Sequence, residues 1–465
     1  MNERRLPYNL SLGLIFLLFG CFIMPETAEN AESKPNILLI LSDDHSVPYL
    51  GVYGNKDLQT PNLDKLAMEG VLFQRAYTTA PQCVPSRSSI LTGRNVIDIR
   101  MSRFSAPLPR DVPTIPEFLR PEGYYTGICG RSYHLDGSGK RPPETDEAFE
   151  KYKLTTFKER VDYLNSGSDD KVLGQFKEFL DQVPGKKPFF MWMNYSDPHR
   201  PFTADSFEPD PKSLRVPEGM PDTEEVRKGL AQHLGEIMRL DSHVGEVLQE
   251  LEKRGVAKNT VVIFMGDNGA ALLRGKGTLY DLGIHVPLIV AGPGVKSGLS
   301  TDALVSGIDI APTVLALAGV DAPTAMTGQS FLPALRGLNH AGSEYIFASR
   351  VPHGSSLPMN TGAFDLARTV FDKKYKLIYN TLWQLPYSPV DFNNHPLWQD
   401  LIARKKNGKL DAKYAKTLFA EPRSMFELYD SESDPHEMNN LSGKPEYAET
   451  EHRLKAKLHE WMIVN

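Results

Sequence analysis

Two continuous apolar runs, each followed by a pair of polar side chains suited to metal binding, constrain the fold of this chain most. The runs and their pairs are Asn36–Leu41 with Asp43-Asp44, and Thr260–Met265 with Asp267-Asn268. Short runs that are apolar on both faces are typical of central strands in a parallel sheet. Functional residues of such sheets collect at the carboxyl ends of the strands, so we expect the two pairs to be neighbours in space.

These pairs offer three carboxylates and one amide oxygen. An oxygen-only set of ligands suits Ca²⁺ or Mg²⁺ better than Zn²⁺. The alternative is that they are turn residues at strand ends, because Asp and Asn favour turns. Since two such pairs each close an apolar strand, the pattern favours a metal site.

Further strands alternate with helices in the first two thirds of the chain. The predicted strands are Tyr124–Cys129, Pro188–Asn194 and Val286–Val290, and a long helix covers Val226–Leu251. This alternation predicts an α/β fold with a large, mostly parallel or mixed sheet sandwiched by helices. Asp241 interrupts the apolar stripe of the long helix, and we expect a buried carboxylate bonded to backbone there.

The pattern changes near residue 340. Short strands at Tyr345–Ala348, Lys374–Tyr379 and Met425–Tyr429 are separated by long polar loops, and a helix follows over Glu446–Trp461. We predict a catalytic α/β domain over 32–340 and a smaller C-terminal α+β domain with an antiparallel sheet over 341–465.

The amino-terminal segment indicates export. Arg4 and Arg5 precede an apolar run over Leu10–Met24, which is typical of a secretory signal, and we assign this signal to residues 1–31. The protein is then periplasmic or secreted. A single membrane anchor is the alternative, although the run is short for a spanning helix, and Cys21 lies in a poor lipoprotein box that would give a lipid anchor.

The net charge limits the expected binding partners. With 52 Lys and Arg against 58 Asp and Glu, the net charge is -6, so nucleic acid is not an expected partner. Any anion must be bound by a few local cations.

Cys83 and Cys129 remain once Cys21 leaves with the signal or carries lipid, and a single disulfide is the simple expectation for an exported chain.

The sequence around Cys83 indicates a role other than disulfide formation. Pro85 suits the first turn of a helix that runs through Ile90, which places Cys83 at the helix N-terminus. Free amide groups and the helix dipole favour an anion there, and Arg87 adds a charge one turn along. In general, a lone cysteine at a helix start is more often inert than reactive.

The segment Cys83-x-Pro85-Ser86-Arg87, followed by Leu91-Thr92-Gly93-Arg94, resembles the signature of type I sulfatases. In that family the cysteine is oxidised during export to formylglycine (3-oxoalanine). The resemblance extends over nearly all of the mature chain and implies an alkaline-phosphatase-like fold. The other matching segments are Asn36–Asp44, Gly130–His134, Ser196–His199, Gly266–Gly269, Lys276–Thr278, Glu427–Asp430 and Asp434-Pro435.

The resemblance also implies roles for individual residues. It assigns one Ca²⁺ to Asp43, Asp44, Asp267 and Asn268, with the modified Cys83 facing the ion. Arg87 is expected to steady the formylglycine hydrate and His134 to stand next to it. His199 and Lys276 are expected to hold the sulfate and assist the leaving group. Cys83 is then unavailable for a disulfide, and Cys129 is a buried thiol.

Two positions depart from the family pattern. Arg131 stands where the family usually has lysine, and a planar fork replaces a point charge. Two residues separate Arg131 from His134, where many members have one. His285 stands where many members carry arginine, and we interpret it as variation of the substrate pocket or as packing.

The implied function is hydrolysis of sulfate esters or sulfamates of glycans. The expected partners are a sulfated saccharide and a formylglycine-generating or sulfatase-maturating enzyme. Segments similar to the heparan N-sulfatase branch suggest N-sulfoglucosamine and S–N cleavage, whereas neighbouring branches that share much of them cleave sulfate esters. These segments are Asp197–Pro201, Lys374–Asn380, Leu385-Pro386 and Pro396–Leu401.

Two other classes are alternatives. A phosphatase or phosphodiesterase of the same superfamily would use Ser or Thr and two Zn²⁺ ions with several His ligands. In this chain position 83 is Cys, and Asn268 stands where such enzymes often place His. A chain that never acquires formylglycine would be an inactive glycan-binding protein.

Overall fold

The two apolar runs form adjacent strands at the centre of a large sheet. The computed structural model describes residues 34–464 except 102, 105, 136–146, 150, 153, 155–156 and 355–360. The predicted signal over 1–31 lies outside the described residues. Within the described part, no helix is long and apolar enough to cross a membrane.

Strands and α-helices follow one another along the whole described chain. The strands are β1 Asn36–Ser42, β2 Gly70–Phe73, β3 Ala76–Tyr77, β4 Tyr125–Gly130, β5 Tyr163–Leu164, β6 Phe189–Asn194, β7 Thr260–Gly266, β8 Leu288–Ala291, β9 Leu299–Thr301, β10 Val305–Ser306, β11 Ile346–Arg350, β12 Ala367–Phe371, β13 Tyr375–Asn380 and β14 Phe426–Asp430. The helices with fully described bounds are α1 Pro61–Met68, α2 Cys83–Thr92, α3 Ile115–Leu119, α4 Phe157–Arg160, α5 Asp169–Gln182, α6 Glu224–Lys253, α7 Asp281–Ile284, α8 Ile310–Leu317, α9 Leu332–Leu335, α10 Pro396–Lys406, α11 Ala412–Leu418 and α12 Ala448–Val464.

The main sheet has eight strands in the order β5-β4-β6-β1-β7-β8-β2-β9. β8 runs antiparallel to β7 and β2, and the other neighbours are parallel. Alternate residues of β1 face two separate cores. Leu39 packs with α2, α3 and α8, whereas Leu38 packs with α1, α5 and α6. The predicted mixed α/β sheet with helices on both faces is confirmed.

Asp241 on α6 accepts hydrogen bonds from the backbone amides of Asn62 (3.2 Å) and Leu63 (2.8 Å). The prediction of a buried carboxylate bonded to backbone is therefore confirmed. These amides open α1 and lack partners within that helix, so Asp241 joins the two helices on one face of the sheet.

The C-terminal sheet has four antiparallel strands in the order β11-β12-β13-β14. The sequence predicted three of them and left β12 in a polar loop. β12 reads Ala-Arg-Thr-Val-Phe and carries no continuous apolar run, but its pairing with β11 and β13 holds it in the sheet. One face of this sheet packs against α12. The other face packs against α7 and the loop that precedes it.

Candidate active site

The two acidic pairs meet at the carboxyl ends of the central strands β1 and β7. β1 and β7 are parallel neighbours, with Ser42 opposite Gly266. The amide of Asp267 donates to the carbonyl of Ser42 at 3.0 Å, and the amide of Asp44 donates to Oδ1 of Asp267 at 3.1 Å. The structure therefore brings the four predicted metal-site residues on these strands together.

Cys83 is the first residue of α2 and lies against these strand ends. Its Sγ is 3.1 Å from Oδ1 of Asp43, and the residue has no exposed surface. Burial and the charge of Asp43 raise the pKa of the thiol well above its usual value. Both Cys83 and Cys129 are buried free cysteines, so the simple expectation of a disulfide is wrong.

Arg87 joins the two acidic pairs. Its Nε donates to Oδ2 of Asp267 at 2.7 Å, and its Nη2 lies 3.0 Å from Oδ2 of Asp43. The guanidinium is fully buried, and these two carboxylates outweigh burial and raise its pKa. Arg87 is thus a fixed positive charge one helical turn from Cys83.

Arg131 follows β4 and occupies the middle of the site. Its Nη1 lies 2.9 Å from Oδ2 of Asp43, and its Nε donates to Nε2 of His134 at 3.3 Å. Its Nη2 lies 3.5 Å from Nε2 of His199. The planar fork therefore presents a separate nitrogen to each of three partners, whereas lysine would present one.

Lys276 and His199 lie near Asp44. The Nζ of Lys276 lies 3.0 Å from Oδ1 of Asp44, and its side chain is 1% exposed. Nδ1 of His199 bonds the carbonyl of Arg200, which leaves Nε2 directed toward the site, 3.9 Å from Oδ2 of Asp44. Burial and the charge of Lys276 lower the pKa of His199 to about 3, so its ring is neutral.

Asp391 and His353, which come from the C-terminal part of the chain, are site residues that were not predicted from the sequence. Oδ2 of Asp391 lies 2.7 Å from Nζ of Lys276, and Oδ1 lies 3.5 Å from Nε2 of His353. Gln82, directly before Cys83, contacts Nδ1 of His353 at 3.3 Å. Asp391 lies in a loop without periodic patterning, and its position between two segments similar to the heparan N-sulfatase branch is the sequence signal that could have found it.

His285 is the one predicted variable position that the structure places elsewhere. Its ring stacks on Tyr77 with centroids 4.4 Å apart, and its Nε2 contacts the carbonyl of Gln74 at 2.8 Å. These contacts agree with the packing interpretation, and His285 also borders a cavity of about 600 Å³, so variation of a substrate pocket stays a prediction.

Several candidate ligand atoms for a divalent cation lie close together, in a group that includes His199 and does not include the predicted ligand Asp267. Side-chain ligand atoms of Asp43, Asp44, Cys83 and His199 lie within 4.8 Å of one another. Oδ1 of the buried Asn268 has no hydrogen-bond partner among the described residues. A buried amide oxygen without a partner is unfavourable unless it meets a cation or a water molecule.

The charges of the site also fit a cation. Around the pocket, four carboxylates (Asp43, Asp44, Asp267 and Asp391) face three cationic side chains (Arg87, Arg131 and Lys276). Burial and the charge of Asp43 raise the pKa of Asp267 to about 6. Burial opposes ionisation of Asp43 as well, but Arg131 and Arg87 hold its pKa well below the usual range. A divalent ion would reverse the formal excess of negative charge and favour an anionic substrate.

Comparisons with known families and proteins agree with this geometry. A model of the sulfatase family matches residues 35–320. A second model, described as the C-terminal part of N-sulphoglucosamine sulphohydrolase, matches residues 273–401. The two models together cover the predicted site residues, and the second also covers Asp391 and His353.

Relatives and solved structures are similar along most of the chain. The human N-sulphoglucosamine sulphohydrolase is 30% identical over 92% of this chain and 89% of its own length. An ulvan-active sulfatase of Formosa agariphila is 29% identical over 92% of this chain and 75% of its own. BT4656 in complex with D-glucosamine-2-N,6-O-disulfate has a TM-score of 0.67 at 20% identity, covering 92% of this chain and 97% of that one. A phosphonate monoester hydrolase of Silicibacter pomeroyi has a TM-score of 0.69 at 20% identity, covering 93% and 92%, which supports the predicted alkaline-phosphatase-like fold.

Proposed function

The chain belongs to the sulfatase family, and we propose that it hydrolyses the sulfamate of N-sulfoglucosamine in heparan-type saccharides. One observation carries the catalytic part of this proposal. Cys83 opens a helix against Asp43, and Arg87, Arg131 and Lys276 converge on the same carboxylate cluster. We propose that Cys83 is converted to formylglycine and that the cluster binds one Ca²⁺.

Asp43, Asp44, Asp267 and Asn268 would hold the ion next to residue 83. Ca²⁺ supplies positive charge for the sulfuryl oxygens, and formylglycine supplies a hydrated aldehyde as the nucleophile. The unmodified thiol is a poor substitute, because burial and the charge of Asp43 raise its pKa.

The other side chains have separate tasks. Arg87 and Arg131 are fixed cations that bind and orient the sulfuryl group beside residue 83. Lys276 and His199 lie on the leaving-group side. The bond between Nδ1 of His199 and the carbonyl of Arg200 orients the ring, so that Nε2 is the nitrogen available to the substrate.

The preference for a sulfamate rests on the C-terminal half. The match to the C-terminal model of N-sulphoglucosamine sulphohydrolase includes Lys276, His353 and Asp391. An O-sulfatase acting on glycan esters is the second candidate, because the Formosa agariphila relatives of similar identity are ulvan-active sulfatases.

A matched substrate panel tests the proposal. The protein is produced together with a sulfatase-maturating enzyme, and conversion of Cys83 is verified by an intact mass lower by about 18 Da. We expect sulfate release from N-sulfoglucosamine to exceed release from glucosamine 6-O-sulfate by at least about 10²-fold. Release from the O-sulfate alone would assign the chain to the O-sulfatases, and binding without release by fully converted protein would indicate a glycan-binding protein.

We also propose that the chain is exported and that the signal over 1–31 is removed. The same mass measurement on protein recovered from the producing cells tests this. A mature chain lacking the signal supports export, and a lipid-modified Cys21 at the amino terminus would indicate a lipid anchor. A full-length chain in the cytoplasm would contradict both.

A further inference from the structure

We propose that Asp391 is a specificity-determining residue that binds the nitrogen of the leaving amino sugar. The pocket would therefore select substrates whose leaving group departs as an amine. This inference rests on the proposed sulfamate hydrolysis and deepens it, because it assigns the choice between S–N and S–O cleavage to one side chain.

Asp391 lies on the leaving-group side of the site. Its Oδ2 is 2.7 Å from Nζ of Lys276 and 3.7 Å from Nε2 of His199, the two residues assigned to the leaving group. The sulfuryl group belongs with Arg87 and Arg131, since a carboxylate would repel its negative charge. A substrate atom between Lys276 and His199 is thus also within reach of Asp391.

Asp391 is the accessible carboxylate of the site. Its side chain is 28% exposed, whereas the side chains of Asp43, Asp44 and Asp267 are completely buried. It borders a cavity of about 490 Å³ and is the one carboxylate among the described residues that line it. His199, Arg200, Phe202, Gln232 and His395 also line the cavity. An aromatic ring with several hydrogen-bonding groups in a cavity of this size suits a sugar.

The loop around Asp391 is held firmly against Lys276. Val390 and Phe392 on either side are each 2% exposed. A Cβ on Gly277, the residue after Lys276, would approach Val390 to 2.3 Å, so glycine permits this close contact. Asp391 itself has φ of 67°, a left-handed conformation that Asp and Asn accept more readily than most residues. The carboxylate is therefore positioned by packing on both sides.

The chemistry of the two leaving groups differs in charge. In sulfamate hydrolysis, R–NH–SO₃⁻ and water give R–NH₃⁺ and SO₄²⁻. The nitrogen keeps the electron pair of the S–N bond and gains two protons, and the oxygen of water ends on sulfur. In ester hydrolysis, the leaving oxygen gains one proton to become a neutral alcohol, and the other proton is released. A carboxylate beside the leaving atom stabilises the cationic amine and gives an alcohol no equivalent charge pairing.

A binding experiment on a variant without turnover tests the assignment directly. Calorimetry on Cys83→Ala measures binding of glucosamine, protonated at about pH 6, and of neutral N-acetylglucosamine. We expect Asp391→Asn in this background to weaken glucosamine binding at least about 10-fold and to leave N-acetylglucosamine nearly unchanged. Asn keeps the backbone preference at this position, and thermal unfolding verifies the fold. Asp321→Asn, an exposed carboxylate in a loop, is the control.

Equal loss of both sugars, or no loss of glucosamine binding, would overturn the assignment. Turnover by fully converted enzyme then separates it from the proposed function. We expect Asp391→Asn to lower kcat/KM for N-sulfoglucosamine at least about 10-fold more than kcat/KM for the ester p-nitrophenyl sulfate, because both reactions lose the contact of Asp391 with Lys276 but only the sulfamate has a leaving amine. Equal slowing of both substrates overturns only the role of Asp391. Wild-type enzyme that hydrolyses esters but no sulfamate overturns the proposed function, and the glucosamine measurement still decides whether Asp391 binds the amine.

Discussion

At the scale of single residues, Cys83 lacks the environment of an activated thiol nucleophile. Thiol nucleophiles are normally activated by a lowered pKa, and in this site burial and Asp43 raise it. Its place at the start of α2 is nonetheless held by the contact with Asp43 and by complete burial. A conversion that replaces the thiol by an aldehyde hydrate resolves this conflict between position and reactivity.

We expect Cys83→Ala to abolish sulfate release while the protein remains folded, because removal of one buried sulfur leaves only a small cavity. Sulfate release and thermal unfolding are measured on the same preparation. Cys129→Ala is the matched control, since it removes the other buried free thiol and is expected to retain activity. Activity of Cys83→Ala at even a few per cent of wild type would contradict the assignment.

Arg131 provides a second test at this scale. It contacts Asp43, His134 and His199 with three different nitrogens. We expect Arg131→Ala to lower kcat/KM about 10²–10³-fold, and Arg131→Lys to restore only part of it, because lysine keeps the charge but not the fork. Arg336→Ala, at an exposed arginine, is the control. Full activity of Arg131→Lys would show that only charge matters there.

At the scale of secondary structure elements, Asp241 connects α6 to the start of α1. Three bonds reach its carboxylate, two from backbone amides and one from Nδ2 of Asn62 at 2.8 Å. We expect Asp241→Ala to lower the free energy of unfolding by about 2–3 kcal/mol, because buried donors lose their acceptor. Ser242→Ala, at the exposed neighbour on the same helix, should change it by less than about 0.5 kcal/mol in urea unfolding. Equal losses in the free energy of unfolding for the two variants would contradict the role of Asp241 in joining the helices.

Asp309, just before α8, gives a pH-dependent prediction. Its carboxylate accepts from the amides of Ser306 and Gln329, yet burial raises its pKa to about 7. The unfolded value is about 3.9, so between about pH 4 and 7 the folded state keeps a proton that the unfolded state has lost, and the contribution of Asp309 to stability falls as pH rises across this interval. Relative to Asp309→Asn, wild type should lose about 2–3 kcal/mol between about pH 5 and 8 in urea unfolding. A pH-independent difference would contradict the shift.

The elements also show what the sequence can and cannot predict. β1 and β7 were evident because both of their faces are apolar, and α2 because Pro85 fits a first turn. β5 and β10 have only two residues each, too few for any periodicity, and β12 lacks an apolar run. Asp391 was missed for a different reason, since Val390 packing against Gly277 places it and no local pattern encodes that contact.

At the scale of the whole molecule, both sheets contribute to one site. Asp43, Asp267 and Cys83 lie at the carboxyl ends of the central strands of the main sheet. His353 and Asp391 lie in loops that follow strands of the C-terminal sheet. Lys376 on β13 pairs with Asp281 and lies 2.8 Å from Oε1 of Glu437, which ties that sheet to the helix following the site. The C-terminal region thus contributes side chains to the candidate active site.

The excess of carboxylates over cations leads to a last prediction about the whole molecule. Without an ion, Asp43, Asp44 and Asp267 repel one another in a buried site, so a cation that binds only the folded state should stabilise the protein. In Cys83→Ala, where catalysis plays no part, we expect Ca²⁺ at about 100-fold above its Kd to add about 2.7 kcal/mol of stability, seen as a higher Tm. Chelation should reverse the shift, and in converted wild type it should remove activity. Asp44→Asn should abolish the Tm response, whereas Asp321→Asn should keep it. If Ca²⁺ does not change the Tm of verified metal-free protein, these carboxylates are balanced by Arg87, Arg131 and Lys276 alone.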